Sequence, residues 1–187
     1  MILDIITYPN KILTKKTKRV GAVDAEIKKL IDDMVETLYA KRGGGLAANQ
    51  VGESKQIIVV DDSRGEGNVK VLINPEIVRK KGSAIMVEGC LSLPGLELEI
   101  KRPAKIEVEY YTLIEKDKTR LRSDGASAGP DFSDKIENFE KKRIKASDLL
   151  ARIICHEVDH LAGKTMLDRL PLLKRLRLKR SLRRNKI

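Results

Sequence analysis

This 187-residue chain has no tryptophan, two cysteines and two histidines. Two cysteines make no disulfide framework of the kind that staples small secreted domains, and no signal-peptide pattern stands at the start, so the expected location is the cytoplasm. No apolar run approaches the roughly 20 residues of a membrane-spanning helix, which argues against a membrane protein. No internal repeat is visible, so a solenoid is not expected. After His160 there is neither a glutamate nor a histidine. That closes two common routes to a protease metal site, the downstream glutamate of thermolysin-like enzymes and the third histidine of metzincins.

What is present is concentrated. Both histidines fall in Cys155-His156-Glu157-Val158-Asp159-His160-Leu161, an HExxH pattern. On an α-helix, positions four apart share one face, so both imidazoles can reach a single divalent ion while Glu157 projects beside it. A metal with an open coordination position acidifies its bound water, and a carboxylate there can take the proton. The chemistry suggested is hydrolysis. Ser147 or Asp148 can cap the start of the helix, and Gly163 suits its end. Leu149, Leu150, Ile153, Ile154, Val158 and Leu161 cover more than half the circumference, which predicts a helix packed between layers. Two core histidines are the plainer alternative, but burying them beside Glu157 demands partners that an ion supplies.

A third ligand is needed. Asp168 is the only acid beyond Asp159 and could serve an oxygen-rich site. Cysteine suits the set better. Cys155 lies about 100° round the helix from His156, whereas Cys90 sits in Glu88-Gly89-Cys90-Leu91-Ser92-Leu93-Pro94-Gly95, a tight segment able to present a thiolate from outside the helix. Cys90 is the expected ligand, and a Cys90–Cys155 disulfide is the competing possibility.

Three motifs now stand in order: Gly43-Gly44-Gly45-Leu46-Ala47-Ala48-Asn49-Gln50, Glu88-Gly89-Cys90-Leu91-Ser92, and His156 to His160 followed by Leu161-Ala162-Gly163. Together they resemble the peptide deformylases, metallo-hydrolases that remove the formyl group from the N-terminus of nascent bacterial chains. Tyr8-Pro9, Val51-Gly52, Val71-Leu72-Ile73-Asn74-Pro75, Arg102 and Tyr110 echo the family more weakly, so the resemblance covers about residues 1–114 and 146–170. It implies Cys90, His156 and His160 as metal ligands and Glu157 as general base and acid. Gln50, through its side-chain amide, and Leu91, through its backbone N–H, are implied as oxyanion donors. Gly43, Gly44 and Gly45 would let the backbone approach an extended peptide, with Gly45 pairing to it as an added strand. A helix end followed by a turn is the other reading of that triplet. Ile153 and Leu91 could line a pocket for the substrate methionine.

The implied metal is Fe2+, although a Cys-His-His set by itself would default to Zn2+, and Ni2+ or Co2+ could also occupy purified protein. The implied substrates are N-formylmethionyl peptides, released as formate and a free amine. Glu88 and Arg102 read either as a pair behind the Cys90 loop or as two solvated charges. Two other functions are carried alongside: an HExxH metalloprotease, and a basic RNA-binding protein with a structural metal.

The expected architecture is α+β, with mostly antiparallel strands packed around a central HExxH-bearing helix. Ala25–Lys41 reads as an amphipathic helix, and Gln56–Asp61, Lys70–Ile73, Ala84–Val87, Leu96–Ile100 and Lys105–Ile114 as strands. Residues 1–170 form one catalytic domain with a charged excursion at 115–145, within which Thr119–Arg122 could supply the strand before the motif helix. Residues 171–187 form a basic extension, read as helical. Lys174, Arg175, Arg177, Lys179, Arg180, Arg183, Arg184 and Lys186 carry most of the +11 net charge. That suits an anionic partner such as the ribosome, while the lack of aromatics for base stacking fits a merely solvated tail as well.

Overall fold

The computed structural model describes residues 1–63, 68–113 and 139–184. Helix α1 (Ala25–Ala40) begins where the Asp24 side chain accepts a hydrogen bond from the Ile27 N–H, and it buries Ile27, Ile31, Met34 and Leu38 on one stripe. Strand β1 (Gly45–Ala47) pairs antiparallel with β2 (Ile57–Val60). All four β2 residues are buried, because the strand is covered on both faces. Ile57 and Val59 join the α1 cluster, while Ile58 and Val60 join a second cluster with Ala151, Ile154, Cys155 and Leu161.

The sheet continues through β3 (Lys70–Lys81), β6 (Lys105–Leu113) and β7 (Phe139–Ser147), in the order β1-β2-β3-β6-β7, so β1 is an edge. Strands β4 (Ala84–Glu88) and β5 (Leu98–Arg102) make a separate antiparallel hairpin. Among the described residues the helices α2 (Asp148–Leu161) and α3 (Leu172–Arg184) complete an α+β fold of antiparallel sheets. None of the described helices is long and apolar enough to cross a membrane.

Three local expectations are corrected. Strand β3 does not stop at Ile73: Asn74 takes φ 51° and the register slips between Ile73 and Glu76, a bulge that accommodates Pro75. The Asn74 amide accepts from the Val20 N–H and donates to its carbonyl, both at 2.8 Å, holding that bulge. Next, the strand leading into α2 is β7, so residues 139–145 of the expected excursion are sheet; Thr119–Arg122 lie outside the described residues. Ile144 and Ala146 face the second cluster while Lys141, Arg143 and Lys145 face outward, an alternation hidden by the density of charge. Finally, Leu149 is 37% exposed, whereas Arg152, absent from the expected buried set, is 5% exposed.

Helix α2 ends before Gly163, whose φ of 70° and position leave no room for a side chain. A Cβ there would stand 2.8 Å from the Thr14 and Lys15 backbone. Helix α3 packs Leu178 and Leu182 against Leu93, Leu98, Ile100, Met166, Leu167 and Leu170. Asp168 accepts from Lys179 at 2.8 Å, which ties α3 to the turn before it.

Candidate metal centre

Helix α2 sets His156 and His160 one turn apart, with their Nε2 atoms at 3.3 Å. From the loop after β4, Cys90 brings its Sγ to 3.2 Å from His160 Nε2. The ligand-capable atoms of all three lie within 4.8 Å of one another. Both cysteines are free thiols, and Cys155 is buried in the second core cluster, so the disulfide alternative falls. Asp168 is engaged with Thr165 and Lys179 and takes no part in the trio.

Behind the trio is a buried ionic network. Glu88 Oε2 is 2.9 Å from His156 Nδ1, which leaves Nε2 of that ring facing His160. Arg102 grips Glu88 through Nε at 2.6 Å and Nη2 at 2.9 Å, and its Nη1 reaches Asp159 at 2.7 Å. Arg152 pairs with the same Glu88 and donates to the Ile100 and Ala84 carbonyls. Arg169 closes the set from Nε to Asp159 at 2.8 Å. Withdrawing these charges from water is costly, and bidentate geometry with extra carbonyl acceptors is what offsets it.

The electrostatics favour a cation at the trio. Burial pushes Glu88 up, but His156 and Arg102 outweigh it and hold the carboxyl at about 2. Burial works against charge on His156 as well, yet its bonds to Cys90 and Glu88 raise that ring to about 10. His160 is driven well below its ordinary value, first by burial and then by His156, and so keeps a lone pair. Burial lifts Glu157 to about 7 against the pull of His156 and Arg102, and its Oε2 has no hydrogen-bond partner among the described residues. This donor set, with an orphaned carboxylate oxygen beside it, fits a mononuclear metal.

Gln50 sits in the 3-10 turn Ala48–Val51. The Ala47 N–H donates to Gln50 Oε1 at 2.8 Å, so the amide nitrogen must face the other way, 3.2 Å from Ser92 Oγ and 3.7 Å from Cys90 Sγ. Gly45 passes so close to α2 that a Cβ would stand 2.6 Å from Glu157 Oε1 and 2.7 Å from Ile153 Cγ2. Only glycine fits. Gly43, Gly44, Gly45, Gln50, Cys90, Leu91, Ile153, His156 and Glu157 all line one cleft of about 930 Å³, and His160 lies beneath it at 1% exposure.

Glu88 and Arg102, read from sequence as either paired or solvated, are a buried pair at 7% and 3% exposure. Arg152, Asp159, Ser92 and Asn49 were not anticipated; Asn49 Nδ2 donates to the His160 carbonyl at 2.7 Å. A signal for two of them existed. Arg152, His156 and Asp159 stand at i, i+4 and i+7, a polar stripe on a helix otherwise rich in aliphatics.

A sulfur, two imidazoles and a carboxylate with one oxygen unpartnered among the described residues, at a sheet-edge cleft, have the make-up of a mononuclear metallo-hydrolase centre. The sequence narrows the class further: residues 2–129 and 132–176 match the polypeptide deformylase family. The peptide deformylase of Nitrosococcus oceani is 41% identical over 179 residues, 96% of this chain and 93% of that protein. That of Thermodesulfovibrio yellowstonii is 40% identical over 176 residues, covering 93% and 92%. Among solved structures, a peptide deformylase from Legionella pneumophila superposes with a TM-score of 0.79 at 32% identity, covering all of this chain and 96% of that one. The Ehrlichia chaffeensis enzyme in complex with actinonin gives 0.77 at 34% identity, covering 98% and 97%. This chain belongs to the polypeptide deformylase family.

Proposed function

We propose that the chain removes the formyl group from N-formylmethionyl peptides by hydrolysis, giving formate and a free N-terminal amine. The observation that carries this reading is the convergence of Cys90, His156, His160, Glu157 and the Gln50 amide beside a glycine edge strand. Cys90, His156 and His160 would hold one divalent ion, Fe2+ by the family resemblance, with Zn2+, Ni2+ or Co2+ able to replace it. When bound, such an ion supplies Lewis acidity, making a water more acidic and a carbonyl more electrophilic.

The remaining work falls to the protein. Glu157 accepts the proton of the attacking water and returns it to the departing amine nitrogen. The Gln50 amide, held by Ala47, donates to the oxyanion together with the Leu91 backbone N–H. The outer edge of β1 pairs with an extended substrate backbone at Gly45, with Gly43 and Gly44 giving close approach. Ile153 and Leu91 receive the methionine side chain. Helix α2 is thereby the central element of one catalytic domain, residues 1–170. The basic extension, residues 171–187, is a ribosome contact, and the enzyme works in the cytoplasm.

The test is formate release from formyl-Met-Ala-Ser by anaerobically purified protein, with metal analysis alongside. Turnover with one ion per chain is expected. Cleavage of internal peptide bonds would instead indicate a protease, and a closed site without exchangeable water a structural metal. Ribosome co-sedimentation that persists undiminished after loss of Lys174 to Ile187 would remove the tail from the reading.

A further inference from the structure

We propose that the end of the larger sheet formed by β3, β6 and β7 is a docking surface for the phosphate backbone of duplex RNA. Arg79, Lys81, Lys105 and Lys145 line one shallow depression of about 370 Å³, in which Glu107 is the sole lining carboxylate among the described residues. The ladder sets Arg79, Glu107 and Lys145 in one cross-strand row, and Lys81, Lys105 and Ser147 in the next. Glu107 is already shared, at 3.6 Å from Arg79 and 3.9 Å from Arg143. Lys81 and Lys105 therefore face each other directly across the strands, both exposed. Neither they nor Lys145 has an ion pair among the described residues.

Like charges directly opposite on a ladder weaken it, and here two more cations crowd the same depression. An external polyanion supplies the negative charge that the fold withholds. Between the cations the apolar lining is Ile106 and Ala146, both buried at 2% and 4% exposure, so nothing apolar projects from the depression to enter a lipid layer. Among the described residues no aromatic lines the depression to stack an unpaired base. Flexible cations on a rigid strand frame suit the phosphates and hydroxyls of an RNA duplex, read by shape. The surface is separate from α3, which packs against Leu98 and the residues Met166, Leu167 and Leu170. It does not depend on the deformylase reading.

Lys81→Glu/Lys145→Gln tests it in the full chain. Glu at 81 would stand opposite Lys105, turning a repulsive cross-strand pair into an attractive one, so the melting temperature should hold or rise. Lys16→Glu/Lys28→Gln, on exposed positions elsewhere, changes net charge equally. Binding to a duplex RNA of about 16 base pairs should weaken at least tenfold in the sheet variant, with a log–log salt slope shallower by about two. The control should stay near wild type. Lys105→Gln, which relieves the repulsion, should weaken binding in the same direction. Equal losses in the control would mean net charge alone acts, and would overturn the proposal. So would a sheet variant that binds RNA normally but loses affinity for phosphatidylglycerol vesicles.

Discussion

Helices α2 and α3 are both built from leucine or isoleucine interleaved with charge, yet they end in opposite environments. In α2 the charged and titratable side chains Arg152, His156, Glu157, Asp159 and His160 are buried. In α3 it is leucine that faces solvent, Leu172 at 58%, Leu173 at 72% and Leu176 at 54% exposure. The difference lies in what surrounds each helix. Helix α2 has the large sheet on one side and the β4–β5 hairpin on the other, and Glu88 and Arg102 meet its polar stripe with opposite charge. Among the described residues, helix α3 meets a cluster that accepts Leu178 and Leu182 and leaves Leu172, Leu173 and Leu176 exposed. Hydrophobicity supplies the tendency to be buried, and available partners decide which side chains are.

If α2 owes its burial to a site that needs every member, substitutions there should be severe and those on α3 mild. The largest effect is expected from Cys90→Ala, which should lose metal and formate release together. Cys155→Ala, one residue from His156 but facing the core, should keep both at a packing cost on the order of 1 kcal/mol. Metal content per chain decides between them; loss of metal in the Cys155 variant would reverse the assignment. Glu157→Gln should uncouple the two readouts, keeping the ion while turnover falls by roughly 10²–10⁴. A variant that loses the ion would make Glu157 a ligand.

Arg102→Leu probes the network itself. It would leave Glu88 with Arg152 and His156, and Asp159 with Arg169, but take from both buried carboxylates the guanidinium they share, so urea unfolding should show a loss of about 3 kcal/mol. A loss under about 1 kcal/mol would mean that water already reaches them. Gln50→Ala should bind metal normally and slow the maximal rate by roughly a hundredfold, about 2.7 kcal/mol. An unchanged rate would take the amide out of the mechanism. The smallest change is expected on α3, where Leu172→Gln or Leu176→Gln should alter stability by no more than about 0.5 kcal/mol. A large loss there would show that these leucines are covered in solution, and the contrast between the helices would fail.

Much of the site could be read directly from residue order. HExxH spacing places two imidazoles on one helical face whatever the rest of the fold does, because 3.6 residues per turn is a local property. The stripe Ile27, Ile31, Met34 and Leu38 announces α1 in the same way. Strand β7 was not legible, since Lys141, Lys142, Arg143 and Lys145 look like a solvated run until β6 fixes which alternate residues turn inward. The continuation of β3 past Pro75 depended likewise on a bulge that the Asn74 contacts with Val20 hold in place.

The sequence alone therefore determined the donor types and their helical spacing, since each follows from local geometry and side-chain chemistry. Tertiary structure carried Cys90, the ligand expected from sequence, to the histidines, and decided that Glu88 stands behind His156 and that Arg102 and Arg152 are interior. Those choices depend on long-range packing across 14 to 70 residues of chain. A charge is buried only where a distant segment brings its partner, and no local pattern encodes that meeting.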